Sequence, residues 1–254
     1  MENKTDSSLL LDTVMLEGEI MLSSGAEVYR VEDTMRRMLQ KSGYDPTDML
    51  VITTGIFLTL NDHKGEPITL VKRIQKRSTN INRICRVNAV SRELCEGTLS
   101  VEEAHERLKE ITDEQLYSPL LHAVSIIGVS SFFVLMFGGT ILDFAGGLIV
   151  GTAFALAETI IDRTGLNDFC INAFCACIIA VTAFIVSGFI LPGTDADIII
   201  MGAIMPLVPG VPFTTAIRDM LNGDYSSGSA RMMEAAVVGL AVASGVGCGM
   251  LLSE

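Results

Sequence analysis

Five apolar stretches follow one another after Pro119: Leu120 to Phe137, Ile141 to Ile161, Phe169 to Leu191, Ile198 to Pro212 and Met233 to Leu252. Most approach the roughly 20 residues that an α-helix needs to cross the hydrocarbon core of a bilayer. Backbone N–H and C=O groups find no water there, so each stretch must pair its own as a helix. The basic residues are distributed the opposite way. Of 18 Lys and Arg, all but Arg163, Arg218 and Arg231 precede Tyr117. The chain therefore divides near residue 118. The expected fold is an α-helical membrane protein in which five transmembrane helices, residues 119–254, follow a small cytoplasmic α/β domain, residues 1–118.

Orientation follows from the same charges, because loops rich in Lys and Arg stay in the cytoplasm. The basic first domain, Arg163 in the second connection, and Arg218 with Arg231 in the fourth are placed inside. Gly138-Gly139-Thr140 and the connection from Pro192 to Asp197 carry no basic residue and are placed outside. This puts the N-terminus in the cytoplasm and the C-terminus outside. The polar, acidic start Met1-Glu2-Asn3-Lys4-Thr5-Asp6 is unlike the basic n-region of a signal peptide, so no cleavage is expected. A formal charge of −12 without a contiguous basic patch argues against nucleic acid as a partner. The six cysteines show no CxxC spacing and no nearby histidine. They read as small apolar fillers rather than a zinc site or a disulfide framework, and no cofactor is expected.

In the first domain, Leu9 to Ser42 carries a helical signal, with Val28, Val31, Met35 and Met38 at three- and four-residue spacing. Ser24-Gly25 interrupts it, Gly43 is a plausible C-cap, and Asp45-Pro46 stops it. Val51 to Leu60 and Ile68 to Ile74, flanking the turn-rich stretch Asn61 to Pro67, read as a β-hairpin. Helical period returns from about Thr79, with Ile81, Ile84, Val87 and Leu94 on one face. Ser100 with Glu103 forms a capping box that opens a short helix to Ile111. The densest polar cluster lies between Ser23 and Thr34. On a helix Glu27 and Arg30 share a face with Val31 and Thr34, while Glu32 pairs with Arg36 four residues on. Carboxylates beside an arginine suit acid/base work or substrate binding, and the plainer alternative is a solvated or subunit-facing helix. His63, His105 and His122 are too scattered to make a site.

The fourth apolar stretch is the unusual one. Pro206, Pro209, Pro212 and Gly210 fall within seven residues, which an uninterrupted helix cannot accommodate. Broken backbone at membrane depth is tolerated only where it is buried in protein or lines a wet cavity. A second half-helix is expected from about Phe213, with Thr214 and Thr215 capping it and presenting hydroxyls to an anionic carboxylate. The candidate substrate-binding residues are therefore Pro209, Gly210, Thr214, Thr215 and Arg218, against the alternative of a simple kink. Asp143, Glu158, Asp219 and Glu234 are the acidic groups within or near the spans. Such groups usually face a partner or a wet pathway, and Asp219, Asp143 and Glu158 are the candidates for proton coupling. Small residues recur at four-residue spacing, Gly147, Gly151 and Ala155 on the second span and Gly239, Ala243 and Gly247 on the fifth. They let helices approach closely, either within the chain or between copies in a homo-oligomer.

The motif Ser24-Gly25-Ala26-Glu27-Val28-Tyr29-Arg30-Val31-Glu32, the mixed domain, and a five-span region containing Leu207-Val208-Pro209-Gly210-Val211-Pro212 with Ile217-Arg218-Asp219 resemble the threonine/serine exporter family. The likeness is closest to its large-subunit, YjjP-type branch and covers essentially the whole chain. It implies export of threonine, serine or a dicarboxylate such as succinate across the bacterial plasma membrane, driven by a gradient, with protons expected, rather than by ATP. It also implies a second, small integral-membrane subunit, since full-length members look like ten spans. By position, Gly25, Glu27, Arg30 and Glu32 match the family's N-terminal motif and Pro209, Gly210, Arg218 and Asp219 its broken-span motif. The expectation is a transporter subunit, not an enzyme. The alternative is a membrane-anchored hydrolase using Glu27, Arg30 and Glu32.

Overall fold

The helical signal at the start of the chain is cut at Ser24-Gly25, where Gly25 takes φ 89°. That left-handed backbone is cheap only for glycine. The computed structural model describes residues 2–41, 46–61, 67–75, 77–114 and 117–253. On either side of the break run α1 (Glu2–Ser23) and α2 (Val28–Lys41). Val28, Val31, Met35 and Met38 are all buried, so the spacing read as one helix face is the core face of α2. The expected C-cap Gly43, the stop at Asp45, and the turn holding His63 lie outside the described residues.

The expected hairpin is a three-stranded antiparallel sheet, in the order β1 (Pro46–Ile52), β2 (Gly55–Asn61), β3 (Pro67–Arg73). Val51 to Leu60 is not one strand, because the chain reverses at Thr53-Thr54 and Ile52 pairs with Gly55. Ile56, Leu58 and Leu60 are fully buried and alternate with exposed Phe57, as a sheet with one covered face requires. Two helices follow, α3 (Ile81–Glu96) and α4 (Val101–Asp113). The capping box is formed: Ser100 Oγ accepts the Glu103 N–H at 3.2 Å, and the Glu103 carboxylate accepts the Ser100 N–H at 3.0 Å. Ile84, Val87 and Leu94 face the core, whereas Ile81, in the first turn, stays exposed.

These elements form one compact unit, residues 1–114, together with residues 211–233. The added segment holds α9 (Gly210–Leu221) and the start of α10 (Tyr225–Ser253). Apolar content alone would assign residues 211–233 to the membrane region. Within the unit α9 buries only one stripe, Thr215, Ala216 and Asp219, and leaves Ile217 and Leu221 exposed. Gly228 of α10 fits against it so closely that a Cβ there would lie 2.8 Å from the Ala216 carbonyl oxygen.

Residues 115–210 and 234–254 make the second unit. It contains α5 (Pro119–Met136), α6 (Ile141–Ile161), α7 (Asp168–Ile185), α8 (Ala196–Ala203) and the rest of α10. α7 runs on into a π-helical turn, Val186–Ile190. Among the described residues four helices are long and apolar enough to cross a membrane: α5, α6, α7 with its π turn, and α10; the bent pair Ala196–Leu207 and Gly210–Leu221 adds a fifth if taken as one span. Gly147 and Gly151 lie against the backbone of Ser131 and Ile127, so the small stripe of α6 brings it close to α5. On α10 the close packing is made by another face. Gly245 and Gly249 meet the carbonyls of Ala173 and Cys177 on α7, while Gly239 and Gly247 meet nothing within 4 Å.

The proline cluster breaks less of the chain than its composition suggests. Pro206 sits in a 3-10 turn, Met205–Leu207, and Pro212 in the first turn of α9. A missing N–H costs little there because the first turn leaves its donors unpaired anyway. Only Val208-Pro209 lies outside helical structure between Met205 and Leu221.

Candidate functional site

Because α1 stops at Ser23 and α2 starts at Val28, the intervening elbow presents backbone groups with no helical partners. The elbow carbonyls of Gly25 and Ala26 accept from the Arg231 guanidinium, at 3.3 and 2.6 Å. Arg231 Nε lies 3.1 Å from Asp219 Oδ2, an ion-pair contact rather than an aligned hydrogen bond. The other oxygen of Asp219 accepts the Val28 N–H at 3.1 Å, so a carboxylate from α9 caps the N-terminus of α2. Both Asp219 and Arg231 are buried, at 0% and 6% exposure. An ion pair this deep persists because its remaining donors and acceptors are also taken up.

Beside this inner pair sits an outer one. Glu27, itself buried, accepts from Arg218 at 2.6 Å and from Arg30 at 3.2 Å. Burial works against its charge, but the backbone hydrogen bond and the two guanidinium groups outweigh it and hold the carboxyl below the ordinary 4.5. The side chains of Arg218 and Arg30 are 63% and 40% exposed. The result is one buried carboxylate shared by two solvent-facing guanidinium groups. In such an arrangement one guanidinium can turn to another anion while the other keeps Glu27 paired.

Gly25, Glu27 and Arg30 of the N-terminal motif are thus brought together with Arg218 and Asp219 of the broken-span motif. Glu32 is used differently. It accepts the Val51 N–H at 2.9 Å and ties β1 to α2; its carboxyl is pushed up, chiefly by burial. The triad imagined for a hydrolase, Glu27, Arg30 and Glu32, therefore has no shared focus. Thr214 and Thr215 do not cap α9, because the helix already begins at Gly210; their hydroxyls donate back to the Val211 carbonyl at 3.0 and 2.9 Å. Pro209 and Gly210 belong to the second unit.

Asp143 is the N3 residue of a second capping box. One carboxylate oxygen accepts from the Thr140 N–H and hydroxyl, both at 2.7 Å, and the other from the Asp195 N–H at 2.7 Å. These three bonds account for its burial without a pathway. Glu158 lies 3.2 Å from His122 Nε2 and lines a pocket of about 610 Å3, with Tyr117, Arg163, Asp168 and Asn172, where α5 begins, α6 ends and α7 begins. Sequence reasoning missed the role of Arg231. Its signal was its rarity, as one of only three basic residues after Tyr117.

A family model described as "Putative threonine/serine exporter" matches residues 12–253. The chain is 25% identical over 248 residues to a "Probable threonine/serine exporter" of Mycobacterium tuberculosis, covering 96% of this chain and 45% of that one. It is 27% identical to a "Threonine/serine exporter" of Corynebacterium glutamicum, over 93% of this chain and 50% of that one. It is 28% identical to a "Probable succinate transporter subunit YjjP" of Klebsiella aerogenes, over 89% of this chain and 87% of that one. The chain spans about half the length of the first two relatives and most of the third. No solved structure matches it significantly. The family match takes in the elbow, the sheet, the apolar helices and the proline break together, and the chain belongs to the threonine/serine exporter family.

Proposed function

We propose that this chain is a subunit of a proton-coupled secondary exporter of a small polar metabolite, threonine or serine or a dicarboxylate such as succinate. It works in the bacterial plasma membrane with a small integral-membrane partner, its first unit in the cytoplasm and its C-terminus outside. The relatives' names support both substrate classes and the word "subunit". The observation that carries the reading is the contact of Arg218 with Glu27 at 2.6 Å, just after the proline break. A substrate carboxylate takes the place of Glu27 on Arg218, and Arg30 keeps Glu27 paired meanwhile. Thr214 and Thr215 stand one turn ahead of Arg218 on the same helix, their hydroxyls donating to the Val211 carbonyl, and they remain candidates for substrate contact. Val208 and Pro209 break the backbone ahead of them, and Gly210 opens the helix. Asp219, Asp143 and Glu158 remain the candidates for coupling, and Glu158 is the one that lines a pocket, 3.2 Å from His122 Nε2.

The test is efflux of labelled threonine, serine and succinate from preloaded vesicles, with this chain alone and with the small partner, under an imposed proton gradient. Flux that needs both chains, collapses with an uncoupler and falls at least about tenfold in Arg218→Gln supports the proposal. Flux indifferent to Arg218→Gln removes the site, and no flux in any pairing removes the transport reading.

A further inference from the structure

A second charged feature lies in the first unit, in the groove between α2 and α3. Its volume is about 360 Å3. On α2 its wall is Arg30, Asp33, Thr34 and Arg37, and on α3 it is Asn88, Ser91, Arg92, Cys95 and Glu96. Each set recurs at the three- and four-residue steps that put side chains on one helix face. Elsewhere these two helices bury Val31, Met35, Val87 and Leu94. Here polar faces confront each other and leave a wet space between them. Three guanidinium groups line it with two carboxylates, and a third carboxylate, Glu27, is held by Arg30 from beside it. Arg37 is tied to Asp33 at 2.8 Å and Arg30 to Glu27 at 3.2 Å. Arg92 has no hydrogen bond or ion pair among the described residues, and it shares the groove with an amide and a hydroxyl, Asn88 and Ser91.

We infer that this groove binds a small dianion, a dicarboxylate or a phosphate group, held by Arg92 and Arg30 with Asn88 and Ser91 supplying neutral donors. Two planar guanidinium forks suit two anionic groups, and each makes paired charge-assisted bonds. Arg30 is common to the groove and to the Glu27–Arg218 contact. Occupancy draws Arg30 from Glu27 and leaves Arg218 as the remaining partner of that carboxylate. The groove thereby acts on the exporter site from outside it, whichever metabolite is carried.

The test is calorimetric titration of the full chain in detergent with succinate and, separately, inorganic phosphate, each at constant ionic strength in sodium chloride. The inference expects saturable binding of at least one of them. It expects affinity to fall about tenfold or more in Arg92→Gln, with the thermal midpoint of the anion-free protein unchanged, and to be unaltered in Arg107→Gln on α4. Saturation by succinate alone identifies a carboxylate site, and by phosphate alone a phosphate site. Absence of saturable binding by either, or equal affinity in wild type and Arg92→Gln, overturns it. Because binding is read without transport, a failed efflux assay leaves this result intact, and the reverse also holds.

Discussion

Asp219 on α9 accepts the backbone N–H of Val28, 191 residues earlier in the chain, at 3.1 Å. A carboxylate at a helix N-terminus satisfies an orphan donor and complements the positive end of the helix dipole. Its counter-ion Arg231 then satisfies the carbonyls of Gly25 and Ala26, the residues that let α1 end and α2 begin. One acid–base pair therefore closes the hydrogen bonding of the elbow that holds Glu27.

Removing either member of the pair leaves a buried charge uncompensated. Asp219→Asn and Arg231→Gln should each cost roughly 3–5 kcal/mol of stability. The double variant should cost clearly less than the sum, since neither charge is then stranded. Arg231→Lys should rescue poorly, because one ammonium cannot reach both elbow carbonyls and the carboxylate in the fork geometry that arginine uses. Thermal denaturation of the four proteins in detergent measures all three points. An additive double variant would show that the two side chains act independently.

Glu27 and Glu17 should respond to pH with opposite signs. The Glu27 carboxyl is lowered in the folded chain, so its contribution is present above the unfolded value and is lost as pH falls through the folded one. Arg218→Gln should therefore flatten the acid side of the stability profile, below about pH 4.5, read as midpoint against pH.

Glu17 on α1 is fully buried, and neither carboxylate oxygen has a hydrogen-bond partner among the described residues. Burial pushes its carboxyl well above 4.5. A raised folded value contributes stability below the unfolded one and loses it as pH rises through the folded value. Glu17→Gln should accordingly stabilise the protein at pH 8, by on the order of 1 kcal/mol or more, and much less at pH 4. A gain that does not change with pH would show that ionisation of Glu17 is not the cause.

The approach of α10 to α7 leaves no room for a side chain at Gly245, where an added Cβ would meet the Ala173 carbonyl. Gly245→Val should cost about 1–3 kcal/mol by forcing the helices apart. Gly239→Ala should be neutral or better, since nothing lies within 4 Å of that position. Equal midpoints for the two variants would place the contact elsewhere.

What the sequence determined by itself was carried by neighbours a few residues apart. The stop at Ser24-Gly25, the Ser100–Glu103 box, the alternation of Ile56, Leu58 and Leu60, and the long apolar helices all follow from periodicity and capping, which are local. The reversal at Thr53-Thr54 escaped because two β-branched residues carry no turn signal and extend a strand pattern on both sides. The prolines overstated the break, since Pro212 in the first turn of a helix looks in sequence like Pro212 in place of one. Only the tertiary structure decided that residues 211–233 join the N-terminal unit, that Glu27 is shared by Arg30 and Arg218, and that Arg231 closes the elbow. The contacts of Arg218 with Glu27 and of Arg231 with Ala26 join residues 191 and 205 positions apart. No spacing rule reaches that far, because the energy that selects them is the cost of leaving a buried charge or backbone group unpaired, and that cost exists only once the chain has folded.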